Sequence, residues 1–112
     1  MSPQTKPNTV ILVVDDDAWV LRTTVRMIAT LGYEAVGAAS GEEALRLIAS
    51  GAEVGLVLAD FAMPRMTGVE LAKTIHAAYP DLPVIIVTGY GDYGFFGTVG
   101  KRYFRNPMAR TS

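Results

Sequence analysis

A chain of 112 residues has room for one domain with a single core of ordinary size. Its 10 bases nearly balance its 11 acids, which argues against a nucleic-acid partner, and the lack of cysteine excludes disulfides, thiolate metal sites and cysteine nucleophiles. No apolar run approaches the roughly 20 residues of a membrane span, so no membrane partner is expected and a cytoplasmic setting is.

Residues 1–9 are polar with two prolines and read as a disordered lead-in, not a signal peptide. The run Val10-Ile11-Leu12-Val13-Val14 is short, continuous and rich in β-branched residues, as are Leu56-Val57-Leu58-Ala59 and Val84-Ile85-Ile86-Val87. Such runs predict parallel strands buried on both faces. After the first run, Val20, Thr24, Met27, Ile28 and Leu31 recur at helical spacing, and Gly32 follows as a C-terminal stop. A weaker strand is expected over Glu34 to Ala38. Ser40-Gly41-Glu42-Glu43 has the spacing of a capping box ahead of an apolar face of Ala44, Leu45 and Ile48. Thr67-Gly68-Val69-Glu70 repeats the signal before Leu71, Ala72 and Ile75, with Pro80 closing that helix.

Strand and helix thus alternate three times before the strand at 84–87, which predicts a doubly wound α/β sandwich. The pattern then weakens. Five of the 11 glycines fall between Gly89 and Gly100, where a fourth helix is due. At about 1 kcal/mol per glycine, a regular helix is disfavoured there. A last strand is expected around Lys101 to Arg105, and the five residues after Pro107 are too few for a closing helix.

Ligands of open parallel sheets bind beyond the carboxyl ends of the strands. The first strand ends there in Asp15-Asp16-Asp17, the third in Asp60 and the fourth in Thr88. Converging carboxylates need a cation, and an all-oxygen set suits Mg²⁺ better than Zn²⁺. Asp17 has a different role: it is placed to cap the helix that starts at Ala18.

VILVVDDD, LVLADFAMPRMTGVEL and PDLPVIIVTG, taken together and in this order, resemble the three landmark blocks of two-component response-regulator receiver domains, over about Val10 to Pro107. The resemblance implies a flavodoxin-like three-layer sandwich, with a parallel sheet of about five strands in the order 2-1-3-4-5. Here the fourth helix would be irregular and the fifth missing. The domain would run from 10 to 107, with 108–112 a short tail. The resemblance further implies that Asp60 is the phosphoacceptor, served by a sensor histidine kinase. Mg²⁺ would be held by Asp16 directly, by Asp15 through water, and by Asp60 and the backbone carbonyl of Ala62. Thr88 would bond the phosphoryl group and shift on phosphorylation, with Tyr103 as the aromatic switch residue. The domain would not be an enzyme beyond its own phosphoryl transfer and dephosphorylation, and its output would be a downstream protein or a homodimer.

The chain departs from the family in one position that matters. The family's lysine before the last proline is replaced by Asn106, whose amide can donate a hydrogen bond but cannot neutralise charge. That change and the glycine-rich stretch leave open a degenerate receiver that acts only as an interaction module. A third reading takes Asp15-Asp16-Asp17 as the D-x-D motif of haloacid-dehalogenase-type phosphatases, with Asp15 as nucleophile and Asp17 as acid. It leaves Asp60 without a role. Gly89-Tyr90-Gly91-Asp92-Tyr93-Gly94 matches a dinucleotide fingerprint in letters only, because no acid follows at the required distance.

Overall fold

The computed structural model describes residues 9–87 and the backbone of 95–99. The elements are β1 (Val10–Val14), α1 (Ala18–Thr30), β2 (Glu34–Ala38), α2 (Gly41–Ala49), β3 (Val54–Asp60), α3 (Gly68–Ala78), β4 (Val84–Val87) and β5 (Phe95–Val99). They form one sheet in the order β2-β1-β3-β4-β5, and β1 to β4 are all parallel to their neighbours. This is the doubly wound arrangement the strand–helix alternation predicts, in the flavodoxin-like strand order the resemblance implies. None of the helices among the described residues is long and apolar enough to cross a membrane.

The fifth strand corrects the expectation of an all-parallel sheet. β5 runs antiparallel to β4, pairing Val84 with Val99 and Val87 with Phe95, and it lies within the stretch where an irregular fourth helix was expected. The connection explains the direction. Only residues 88–94 separate the two strands, whereas a parallel return needs a crossover of a dozen residues or more. The strand expected at 101–105 lies outside the described residues, as do Thr88, Tyr103, Asn106 and most of the lead-in.

The helix boundaries follow local signals. The Asp17 side chain caps α1 by accepting from the N–H groups of Trp19 (2.9 Å) and Val20 (3.1 Å). Gly32, with φ +97°, takes the left-handed turn after α1 that an L side chain resists. Thr67 and Glu70 make a complete capping box at α3. At α2 the box is shifted by one residue. Ser40 accepts from the N–H of Glu43, but the Glu43 carboxylate accepts from Ala39, not from Ser40.

α2 and α3 cover one face of the sheet. There Leu12, Val14, Val57, Ala59, Val84 and Ile86 pack with Ala44, Ile48, Leu71, Ala72 and Ile75 in one buried cluster. Among the described residues, α1 alone covers the other face, with Leu21, Val25 and Ile28 set against Ile11, Val13, Leu56 and Leu58. Of the α1 stripe expected from the sequence, only Ile28 is buried; Val20, Met27 and Leu31 are exposed. The helical period is right but the buried face is rotated toward Leu21 and Val25. Among the four parallel strands only β1 is buried on both sides; in β3 and β4 the more buried residues alternate with less buried ones.

Candidate functional site

The register of β1 against β3 builds the site. Val14 pairs with Ala59, so the next residue on each strand, Asp15 and Asp60, emerges side by side at the strand ends. This is where the strand order reverses direction, between β1 and β3, the crevice that open α/β sheets use for ligands. Asp15, Asp16 and Asp60 each offer a carboxylate oxygen there, and these oxygens lie within 4.8 Å of one another. Asp15 and Asp60 are half-buried and Asp16 is exposed.

The backbone fixes both half-buried carboxylates. The N–H of Asp15 donates to the carbonyl of Ala38 (3.1 Å), which ties its Cα to β2. Its Oδ1 accepts from the N–H of Asp17 (2.9 Å), so the residue that caps α1 also orients Asp15. Behind Asp60, the N–H of Phe61 donates to the carbonyl of Val87 (2.9 Å) and the N–H of Gly68 to the carbonyl of Phe61 (3.1 Å). Gly68 has to be glycine on steric grounds: a Cβ there would sit 2.5 Å from the backbone oxygen of Asp60. The buried Met63 anchors the intervening loop in the core. Arg65 adopts a left-handed φ of 68°, which lets the loop turn back toward α3.

Electrostatics mark this cluster as short of positive charge. Burial, then the neighbouring carboxylates of Asp15 and Asp16, push Asp60 up to about 6, against the opposing pull of the Ala62 and Phe61 backbone groups. Asp15 is raised as well, first by burial and then by Asp16 and Asp17, while its bond from the Asp17 N–H works the other way. A cation between these oxygens would reverse both shifts. The donor set fits a hard divalent ion, since oxygens coordinated at about 2.1–2.5 Å stand up to roughly 4–5 Å apart across the coordination sphere. Asp17 is not part of the cluster, because its carboxylate is committed to the helix. That removes the general acid required by the phosphatase reading.

Of the residues singled out in the sequence, the structure brings Asp15, Asp16 and Asp60 together, with Ala62 two residues along the same loop. Thr88, Tyr103 and Asn106 are outside the described residues. Sequence reasoning missed the backbone groups of Phe61 and Ala62 that support Asp60, since backbone donors leave no residue-type signal. It also missed the left-handed Arg65, where a glycine or asparagine would have announced the turn.

Residues 11–99 match the response regulator receiver domain family. Sensor kinase CckA of Brucella abortus (strain 2308) is 41% identical over 92% of this chain and 12% of its own length. Transcriptional regulatory protein GlrR of Escherichia coli (strain K12) is 38% identical over 72% of this chain and 18% of its own. The chain therefore spans less than a fifth of either relative. Among solved structures, response regulator protein TrrA from Thermotoga maritima, in complex with Mg(2+)-BeF, superposes with a TM-score of 0.69 at 36% identity, covering 74% of this chain and 71% of that one. The fold, the convergence of carboxylates at the switch point and these likenesses agree: the chain belongs to the response-regulator receiver-domain family.

Proposed function

We propose that this receiver domain takes a phosphoryl group onto Asp60 from the phosphohistidine of a sensor histidine kinase, in a Mg²⁺-dependent reaction. The observation that carries the reading is the convergence of Asp15 and Asp16 on Asp60, whose carboxyl is raised to about 6 by burial and by those two neighbours. In the transfer, an ionised Asp60 oxygen forms a bond to phosphorus as the phosphorus–nitrogen bond breaks, and the electron pair returns to the imidazole. The product is an acyl phosphate. Mg²⁺ supplies charge neutralisation between the carboxylates and the phosphoryl oxygens.

Asp16, the most exposed of the three, would hold the metal directly, with Asp15 acting through water and with Asp60 and the Ala62 carbonyl completing the protein's share. The Asp17 N–H keeps Asp15 aimed at the metal, while the Phe61 and Gly68 backbone bonds hold Asp60 in line. Thr88 binds the phosphoryl group, Tyr103 reports it, and Asn106 leaves one phosphoryl oxygen without a balancing charge. The likeness to portions of both a sensor kinase and a transcriptional regulator suits a phosphoacceptor whose output is set by what it is joined or bound to. Its setting is the cytoplasm.

Intact-mass measurement after incubation with Mg²⁺ and acetyl phosphate tests this. One phosphoryl adduct is expected on the wild type and none on Asp60→Asn or without Mg²⁺. No adduct on the wild type would leave the interaction-module reading, which Asn106 motivates.

A further inference from the structure

The parallel strands begin at the edge opposite the carboxylates, and there a groove of about 520 Å³ opens between the ends of α2 and α3. Ile48, Val54, Leu82 and Pro83 are its less exposed, apolar lining, and Glu53 and Asp81 are its charged residues; among the described residues no base lines it. The C-terminal ends of two helices lie at this edge, α2 closing at Ala49 and α3 at Ala78, and helix C-termini carry partial negative charge. The described loops on this side, residues 31–33, 50–53 and 79–83, bring neither lysine nor arginine. Apolar walls, two carboxylates and two helix C-termini would repel a phosphate or nucleotide. They favour a cation that also carries hydrocarbon.

We propose that this groove docks a cationic segment of a partner protein, one in which arginine or lysine alternates with apolar side chains. The apolar side chains lie along Ile48, Val54 and Leu82, and the bases reach Glu53 and Asp81. Because the groove and the Asp60 cluster lie at opposite strand ends, a partner held here leaves the phosphoacceptor open.

Amide NMR shifts of the isotope-labelled full chain, titrated with the peptide acetyl-Arg-Leu-Arg-Phe-Arg-amide, provide the test. Shifts are expected at Gly55, Tyr79 and Leu82, with none from the counterpart carrying glutamate for arginine. Glu53→Gln combined with Asp81→Asn should weaken binding about fivefold, the effect of losing two exposed charge pairs. Added salt should weaken it further, while the response of Asp16 to Mg²⁺ stays unchanged. Equal binding by the double variant, or shifts confined to the Asp15, Asp16 and Asp60 edge, would overturn the proposal. Two peptide-free outcomes would also overturn it. If Lys101→Gln/Arg102→Gln/Arg105→Gln moves the groove amides, the occupant is the chain's own basic segment; if dilution moves them, it is a second copy.

Discussion

The two faces of the sheet are packed to different depths, and the segments that lead away from the site run to different faces. On the α2 and α3 side, Leu71, Ala72 and Ile75 are fully buried against Leu12, Val57 and Val84, and the loop that follows Asp60 is anchored there by Met63. On the α1 side, Ile28 is the only buried helix residue, and Val87 of the sheet is exposed. The loop after Asp60 is therefore tied to the well-packed side, while Asp15 and Asp16 lead directly into α1 on the other. A phosphoacceptor benefits from that division. Under the proposed function, the loop behind the phosphoacceptor Asp60 is anchored in the core, and the proposed metal ligands Asp15 and Asp16 border the less buried helix.

Truncation on the two faces should show the largest difference. Leu71→Ala opens a cavity in the well-packed side and should cost about 3–4 kcal/mol in urea unfolding. Leu58→Ala, beneath α1 and only partly buried, should cost about half as much, since less surface returns to water. Equal losses would mean that the faces are equally packed in solution.

Gly68→Ala probes the link between the well-packed face and Asp60. The added methyl meets the Asp60 carbonyl oxygen and the Phe61 Cα, which are backbone and cannot swing aside. A cost of about 2 kcal/mol is expected, together with slower adduct formation on Asp60 in the acetyl phosphate assay. Unchanged adduct formation would show that Asp60 is not positioned through this contact. Asp17→Ala tests the other side. Losing the α1 cap should cost about 1 kcal/mol, with most of it restored by Asp17→Asn. Adduct formation should fall less than in Gly68→Ala, because Asp17 holds Asp15 by its backbone N–H, which both variants keep.

Much of this architecture was legible in the sequence, because the signals were local. Continuous β-branched runs marked β1, β3 and β4. Side-chain caps marked α1 and α3, and the carboxylates at strand ends marked the site once the strands were taken as neighbours. What escaped was set by tertiary context. Leu21 and Val25 form the buried side of α1, although Val20, Met27 and Leu31 are equally apolar and equally periodic. Packing against β1 and β2, which spacing alone does not encode, decides which stripe faces inward. The antiparallel β5 escaped for a related reason. Its glycines weakened the case for a helix, but strand direction depended on the length of the connection to β4.

Titration gives the most specific effect, and it separates the carboxylate cluster from the packing behind it. Asp60 is raised from 3.8 to about 6 in the folded chain, so the folded state holds this proton more tightly than the unfolded state does. Between those two values the folded state binds more protons, and stability must fall as pH rises through the window. The contribution is fully present below pH 3.8 and is lost once the pH has passed about 6. Asp15, raised in the same direction, adds to the slope. Thermal unfolding of the metal-free chain from acid to neutral pH should therefore show a decline that is shallower in Asp60→Asn. Mg²⁺ should remove it in the wild type but not act through Asp60 in the variant, because a bound cation stabilises the ionised carboxylates whose repulsion causes the decline. An Asp60→Asn slope equal to that of the wild type would place the pH response elsewhere in the chain.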